Sequence, residues 1–359
     1  MARSSPGLAQ ILGARGRDAF LARAWPHSLY VSKGHLDARA LPEGITDLER
    51  IVSAPGVHLS VFGANGFRVD AANAKDALSF YAAGHTLYLR QLEHAVPEIG
   101  EFCASLADDL EIDPGWITIE GFASPRKNAG TSMHYDFDLN FNVQLAGTKT
   151  WRIAKNEHID NPLSSMVVVP GSDARSSTDG RRLPTKMPKR AETVRMQPGD
   201  ALFLPRGHWH ETTVHSESFA VAFVIKPPPL FRLVLDELTN TLKQDAAWRA
   251  YPIGPEREAM LARVLATLPD VVRGISAEDV LLGQRWLQWR VPPALHADPW
   301  QLVIEQRALA IESDLVAAAQ WLVAQDEVFA LDMCTTAAPV ALRALVRTLL
   351  RLGAIEVVR

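Results

Sequence analysis

Two textures divide this chain. Between residues 116 and 225, short runs of Val, Ile, Phe, Leu and Trp are broken by Gly, Pro, Asn and Asp. That pattern predicts strands at 116–122, 137–145, 149–154, 192–196, 201–205 and 219–225, with Ala146-Gly147-Thr148 as a hairpin turn signal. Many short strands with turns between them suggest a sandwich or small barrel. On either side, apolar residues recur at helical spacing. Helices are expected over 73–82 and 96–110, and in the second Ile99, Phe102, Cys103, Leu106 and Leu110 form the face of a helix covering a sheet. Pro227, Pro228 and Pro229 mark a boundary. Beyond it the spacing predicts helices over 231–248, 255–270, 277–289, 299–322 and 337–352, then a strand over the final Ala-Ile-Glu-Val-Val-Arg. Trp286 and Trp289, three apart, read as core residues on one helix face.

The candidate chemistry lies among the strands. Alternate residues of a strand share a face. His134, Asp136, Asp138, Asn140, Asn142 and Gln144 therefore fall on one face, and Tyr135, Phe137, Leu139, Phe141, Val143 and Leu145 on the other, which reads as core. A histidine and a carboxylate two apart converge on one point and supply two ligands of a 2-His-1-carboxylate triad, the arrangement that leaves open positions on Fe(II). The third must come from a later strand. The segment after Ala-Leu-Phe-Leu-Pro offers His208 and His210, the latter 74 residues after Asp136. Both have suitable parity, so spacing leaves them tied. His158 and His215 read as surface or loop histidines.

Composition narrows the classes. The chain has 359 residues, 47% hydrophobic and 22% charged, with a net charge of −4. Disorder and collagen are excluded as the whole answer, and no basic surplus marks a nucleic-acid binder. Two cysteines, Cys103 and Cys334, are too few for a disulfide framework or a thiolate zinc site. No apolar run is long enough to span a membrane, and Arg15, Arg17 and Asp18 interrupt the place where a signal peptide needs its apolar core. The expectation is a cytoplasmic protein with no membrane partner. The loop at 170–190, with Arg175, Arg181, Arg182, Lys186, Lys189 and Arg190, reads as a solvated loop or as a lip for an acidic or polymeric substrate.

His134-Tyr135-Asp136, the Asn-Phe-Asn-Val-Gln-Leu-Ala-Gly-Thr-Lys-Thr-Trp run and Pro-Gly-Asp-Ala-Leu-Phe-Leu-Pro-Arg-Gly-His-Trp-His-Glu together resemble the JmjC-type, cupin-fold, Fe(II)- and 2-oxoglutarate-dependent oxygenases. The similarity leans toward the bacterial ribosomal-oxygenase-like protein hydroxylases and covers residues 20–226. It implies a double-stranded β-helix with covering helices, an α+β class. It selects His210, directly after Trp209, as the second metal histidine. It places Lys149, two before Trp151, on the distal carboxylate of 2-oxoglutarate, a pairing that a buried cation and a buried dicarboxylate both require. It adds the Thr131 hydroxyl at that carboxylate and the Asn140 amide near the metal-bound end. Ser218 is a further candidate facing the cosubstrate.

The implied domains are a catalytic domain over 1–226, a helical dimerisation segment over 231–275 and a winged-helix-like module over 276–359. A DNA-binding role for that module meets a poor charge balance: residues 280–359 hold seven arginines and no lysine against eight acids. Arg343, Arg347 and Arg351 read as an exposed stripe of an amphipathic helix. The implied activity is hydroxylation of a side chain in a protein or peptide, ribosomal substrates included, with succinate and CO2 as coproducts. The alternatives are hydroxylation of a small molecule or peptide natural product, or a cupin-fold metal protein that does not use 2-oxoglutarate. The latter has no use for Lys149.

Overall fold

The strand-rich part of the chain folds as two antiparallel sheets within the first of two units, Met1–Pro227 and Pro228–Arg359. The computed structural model describes residues 7–36, 41, 44–62, 68–125, 130–169, 171, 173–176, 180–243, 245–282, 286–297, 299–305 and 307–358.

The first unit begins with α1 (Leu8–Leu12), α2 (Ala14–Arg23), β1 (Tyr30–Ser32), α3 (Leu48–Ser53), β2 (His58–Phe62), β3 (Arg68–Asp70), α4 (Ala74–Ala82), β4 (Thr86–Arg90) and α5 (Ile99–Leu110). Then come β5 (Ile117–Ser124), β6 (His134–Tyr135), β7 (Leu139–Ala146), β8 (Lys149–Ala154), β9 (Met166–Val167), β10 (Glu192–Met196), β11 (Ala201–Leu204), β12 (Trp209–Val214) and β13 (Ser218–Ile225). Among the described residues, one sheet has the order β1-β11-β7-β13-β5-β4-β2-β3 and the other β10-β8-β12-β6-β9. This is the sandwich that the strand texture suggests, in the cupin form that the resemblance implies.

The larger sheet is covered on its outer face by helices. Phe20 of α2 packs edge-on against Phe141 and Phe203, with ring centroids 5.0 Å away in both cases. Phe102 of α5 lies 5.1 Å from Phe223. The predicted α5 face is buried in full: Ile99, Phe102, Cys103, Leu106 and Leu110 all belong to this core. Asn73 and Asp47 cap α4 and α3 by accepting from Asp76 and Arg50 backbone N–H groups. β13 is buried at all eight positions, because helices cover one face and the second sheet faces the other.

Two expectations change and a third is refined. The run from His134 to Leu145 is two strands in different sheets, β6 in the smaller and β7 in the larger. Phe137 sits in the connection and is 40% exposed, so it is no core residue. β7 and β8 do not pair: Gly147, at φ 67°, turns the chain from one sheet to the other instead of closing a hairpin. A Cβ there would lie 1.9 Å from the Glu217 carbonyl oxygen, so the corner requires glycine. The basic loop is also held. Arg175 and Arg182 bridge each other and both bind Asp173, while Ala174, Leu183 and Met187 pack beside Tyr135 and Trp209.

The second unit contains α6 (Leu230–Leu242), α7 (Arg257–Gly274), α8 (Ala277–Leu282), β14 (Trp286–Trp289), β15 (Ala294–His296), β16 (Gln301–Ile304), β17 (Arg307–Ala310), α9 (Val316–Val323), β18 (Phe329–Ala330), α10 (Pro339–Arg351) and β19 (Ile355–Val357). The expected helix at 277–289 stops at Leu282; residues 283–285 lie outside the described residues, and Trp286 and Trp289 are on a strand between β18 and β19. The expected helix at 299–322 is helical only toward its end. Its first part is a hairpin in which Ile304 faces Arg307 across a turn with Glu305 at φ 54°. Arg343 is not on an exposed stripe: it is 4% exposed and donates to Glu237 at 2.6 Å. The side chain of Arg351 lies outside the described residues.

Removing one partner of a buried ion pair strands the other charge. Glu237→Ala is expected to lower stability by about 3–5 kcal/mol, with Glu237→Gln/Arg343→Met recovering most of the loss, as read from urea unfolding of the full chain.

Candidate metal centre

Antiparallel pairing of β12 with β6 sets His210 directly opposite His134, with ring centroids 3.9 Å apart. Asp136 follows β6 in the connection to β7, and its carbonyl accepts from the Gly207 N–H at 2.7 Å. One ligand atom from each of His134, Asp136 and His210 lies within 4.8 Å of the others. His210 Nε2 is 3.6 Å from Asp136 Oδ2.

The local bonds aim the donors. His134 Nδ1 meets the Ser132 carbonyl oxygen at 2.7 Å, and His210 Nδ1 meets the His208 carbonyl oxygen at 3.0 Å. A carbonyl only accepts, so each Nδ1 donates its hydrogen and each Nε2 keeps its lone pair for the centre. Burial and the neighbouring His134 push the His210 pKa far down, so this ring is a neutral donor with no proton to lose. Asp136 resists the upward push of its burial. The neighbouring His134, with the Ser165 hydroxyl at 3.1 Å and the Asn140 amide at 3.3 Å, holds its carboxyl below the usual range. His208, tied with His210 by spacing, contributes its carbonyl to this arrangement, and its ring lies outside the cluster. His215 meets Thr150, and His158 stays apart from the cluster.

The three donors open into a cavity between the two sheets, about 600 Å³ counting its mouth. Thr131, Asn140 and Lys149 line it with the triad, so all six residues singled out for the site meet in one place. Lys149, on β8, is 5% exposed. It pairs with no carboxylate among the described residues, and its Nζ stands 5.6 Å from the centroid of the Phe122 ring. Burial pulls its pKa down to about 8. Thr131 shares a 3.0 Å hydroxyl contact with Thr212, and the strand there is so close that a Cβ on Gly130 would fall 2.1 Å from the Thr212 carbonyl oxygen. Ser218 is not in the cavity lining; its hydroxyl accepts from Gln144, whose amide also serves the Ala146 carbonyl.

The family model for the JmjC domain matches residues 104–233. The chain carries a JmjC domain. All three donors and Lys149 fall within the matched segment. Uncharacterized protein YxbC of Bacillus subtilis strain 168 is 25% identical over 292 residues, 74% of this chain and 87% of that one. Jumonji C domain-containing protein 5 of Drosophila melanogaster is 28% identical over 150 residues, 40% of this chain and 36% of that one. Among solved structures, the ribosomal oxygenase YcfD of Escherichia coli in complex with cobalt and succinic acid aligns with TM-score 0.46 and 16% identity, over 95% of this chain and 98% of that one. YcfD with cobalt and 2-oxoglutarate aligns with TM-score 0.43 and 15% identity over the same shares.

The JmjC domain holds site residues that the pattern of the sequence had not singled out. Thr212 lies two after His210 on the same face of β12, and parity would have found it. Ser165 braces Asp136 from a loop 29 residues away, which no local spacing encodes. Outside the triad a second pocket is lined by Tyr88, Glu120 and Lys226 among others. There Glu120 is 9% exposed; burial raises its pKa, while Lys226 at 3.5 Å and the Tyr88 hydroxyl oppose that shift. Burial likewise pushes Asp138 up to about 6.

His210→Ala is expected to abolish Co(II) binding, seen as loss of the visible ligand-field bands, whereas His208→Ala keeps it. Ser165→Ala, which removes a brace without removing a donor, is expected to weaken metal affinity by about 10-fold to 100-fold.

Proposed function

We propose that this chain is an Fe(II)/2-oxoglutarate-dependent oxygenase that hydroxylates a side chain in a protein or peptide, releasing succinate and CO2. The observation that carries this reading is a buried lysine without a counter-ion among the described residues, in the same cavity as a 2-His-1-carboxylate donor set. A cupin that merely holds a metal has no need of that cation.

The donor set fits Fe(II). Two imidazole nitrogens and one carboxylate suit a borderline divalent ion and leave part of its coordination sphere open. Iron with 2-oxoglutarate and dioxygen supplies the C–H oxidation, coupled to decarboxylation of the cosubstrate. The protein's tasks are binding and aim. His134, Asp136 and His210 hold the metal. Asn140 and Ser165 fix which Asp136 oxygen faces it. Lys149 holds the far carboxylate of the cosubstrate, with the Thr131 hydroxyl beside it. The charges balance: a divalent metal, Asp136 and protonated Lys149 sum to +2 against the dianion. Trp151, stacked 5.7 Å from the His210 ring, and Phe122 keep water from the cation.

Several features support the reading at the level of the whole chain. Cys103 and Cys334 are free, which suits the cytoplasm. No helix among the described residues is long and apolar enough to cross a membrane. The catalytic domain comprises residues 1–226. Residues 231–275 form a homodimer: α6 presents Phe231, Val234 and Leu235 to solvent at 51%, 45% and 48% exposure, and α7 presents Leu261 and Leu265. Residues 276–359 form a winged-helix-like module that ends in α10 and β19.

Three measurements test this. Anaerobic addition of 2-oxoglutarate to Fe(II)-loaded protein is expected to give the visible charge-transfer band of a keto-acid chelate, lost in His210→Ala; iron-loaded protein without the band overturns the oxygenase reading. The second follows the sign of the Lys149 shift. The free site has a lysine pKa near 8 and binding an anion raises it, so binding takes up a proton above that pH. Affinity of Mn(II)-loaded protein for 2-oxoglutarate is therefore flat below about pH 8 and falls by up to about tenfold per unit above it, and Lys149→Ala loses both the affinity and its pH slope. Third, light scattering is expected to report a dimer, and Phe231→Asp/Leu235→Asp a monomer.

A further inference from the structure

The inner face of the larger sheet continues past the metal centre. Its register aligns Phe122 of β5 with Tyr88 of β4, Glu120 with Arg90, and Phe62 of β2 with Arg68 of β3. Arg68 and Arg90 both stand against the Tyr88 ring, their guanidinium carbons 5.8 and 5.7 Å from its centroid. Tyr88 stacks on Phe122 at 5.1 Å, and Phe122 lines the metal cavity. Both guanidiniums line the outer pocket that His134 and Asp136 also border. Glu120 in that pocket stands 3.5 Å from Lys226, and Asp138, which also lines it, is acted on by Lys226 and Arg206, so the cations set against these two acids are not Arg68 and Arg90. Asp70, at 3.8 Å from Arg90, is engaged by the Ser60 hydroxyl at 2.6 Å, and Arg90 Nε is buried with no hydrogen-bond partner. Arg68 makes no ion pair within 4.0 Å among the described residues, and its charge, like that of Arg90, acts on the exposed Asp70. A guanidinium held on an aromatic face keeps its hydrogen-bonding edge free for a carboxylate.

We propose that Arg68 and Arg90, braced on Tyr88, bind the carboxylate of an acidic residue that flanks the target side chain of a peptide substrate. This rests on the hydroxylase reading above and names the substrate class. The larger sheet also sets the spacing. Three strand steps separate β7, whose Asn140 abuts Asp136, from β4, which at about 4.8 Å per step is about 14 Å. An extended peptide rises about 3.3 Å per residue, so the acid stands about four residues from the target. The overall charge of −4 sets this site apart from a phosphate-polymer track, which needs a continuous basic face.

The test is selection from a phage-displayed random 12-residue library on the full chain loaded with Mn(II) and 2-oxoglutarate, followed by affinities of the recovered peptides. The expected motif has Glu or Asp at a fixed position about four residues from a second preferred position. Changing that Glu to Gln in the best peptide is expected to cost about tenfold in affinity for the parent protein, and nothing for Arg68→Gln/Arg90→Gln. Arg68→Glu, an exposed change that spares the stack, is expected to turn the preference toward Lys. A motif without an acid, an acid preference that survives Arg68→Gln/Arg90→Gln, or no recovered peptide at all overturns the proposal. The chelate band separates the two failures. Band present with no acidic motif sinks this inference alone, and band absent with the motif intact sinks the oxygenase reading and leaves the arginine subsite standing.

Discussion

Two carbonyl oxygens, of Ser132 and His208, decide where the chemistry of this chain can occur. Each accepts from the Nδ1 of the histidine two residues later and thereby turns its Nε2 toward the partner strand. The pairing of β6 with β12 then brings the two lone pairs together, and a slip of one residue would send one imidazole to the opposite face. The turn before β12 is anchored in the same way. Gly207, at φ 78°, donates to the Asp136 carbonyl, so the carboxylate and the second histidine cannot move independently. The donors are preorganised by backbone bonds.

The second constraint is electrostatic. An ammonium group at 5% exposure with no acid beside it is costly in a folded protein, and its lowered pKa records that cost. Core packing alone would favour an apolar residue there. On the oxygenase reading the cost has a use once a dianion enters, because the low-dielectric surroundings that penalise the lone lysine strengthen its attraction for the ligand. Stability is given up at one position so that binding is strong at that position.

Much of this was readable along the chain, for physical reasons that particular residues make plain. The α5 face carries a strong local signal, apolar residues at helical spacing; His-x-Asp offers two donors by strand parity, while the choice of His210 over His208 and the part given to Lys149 come from the family resemblance of the motifs around them. The change of sheet between Tyr135 and Leu139 was not readable, because strict alternation continues through Phe137 although the chain has left one sheet for the other. β2, β3 and β4 also went unread. They are held by each other and by β5, and their inner-facing residues are polar or aromatic instead of aliphatic. In the second unit, β14 pairs with β18 and β19, more than 40 and 60 residues onward, so Trp286 and Trp289 mimic helical spacing with no local sign of the sheet. The β16–β17 turn uses Glu305 in the left-handed region, where glycine or asparagine would have announced a hairpin. Arg343 looked like a surface stripe because its buried partner, Glu237, is 106 residues away.

The two sheets divide the work. The smaller sheet carries both imidazoles, Lys149 and Thr212 on strands that pair with one another in tight register. The larger sheet supplies Asn140 as a brace and then runs outward through β5, β4, β2 and β3 as an open platform. Residues on that platform can change without disturbing the donors, since no strand bearing a metal histidine belongs to the larger sheet. Such a division lets a substrate-facing surface change while the donors stay, and on the proposal above that surface is the one where Arg68 and Arg90 stand against Tyr88. The glycine at 147 marks the junction. It is where the chain passes between the sheet that forms the platform and the sheet that holds Lys149, and the Glu217 carbonyl against it leaves no room for a side chain.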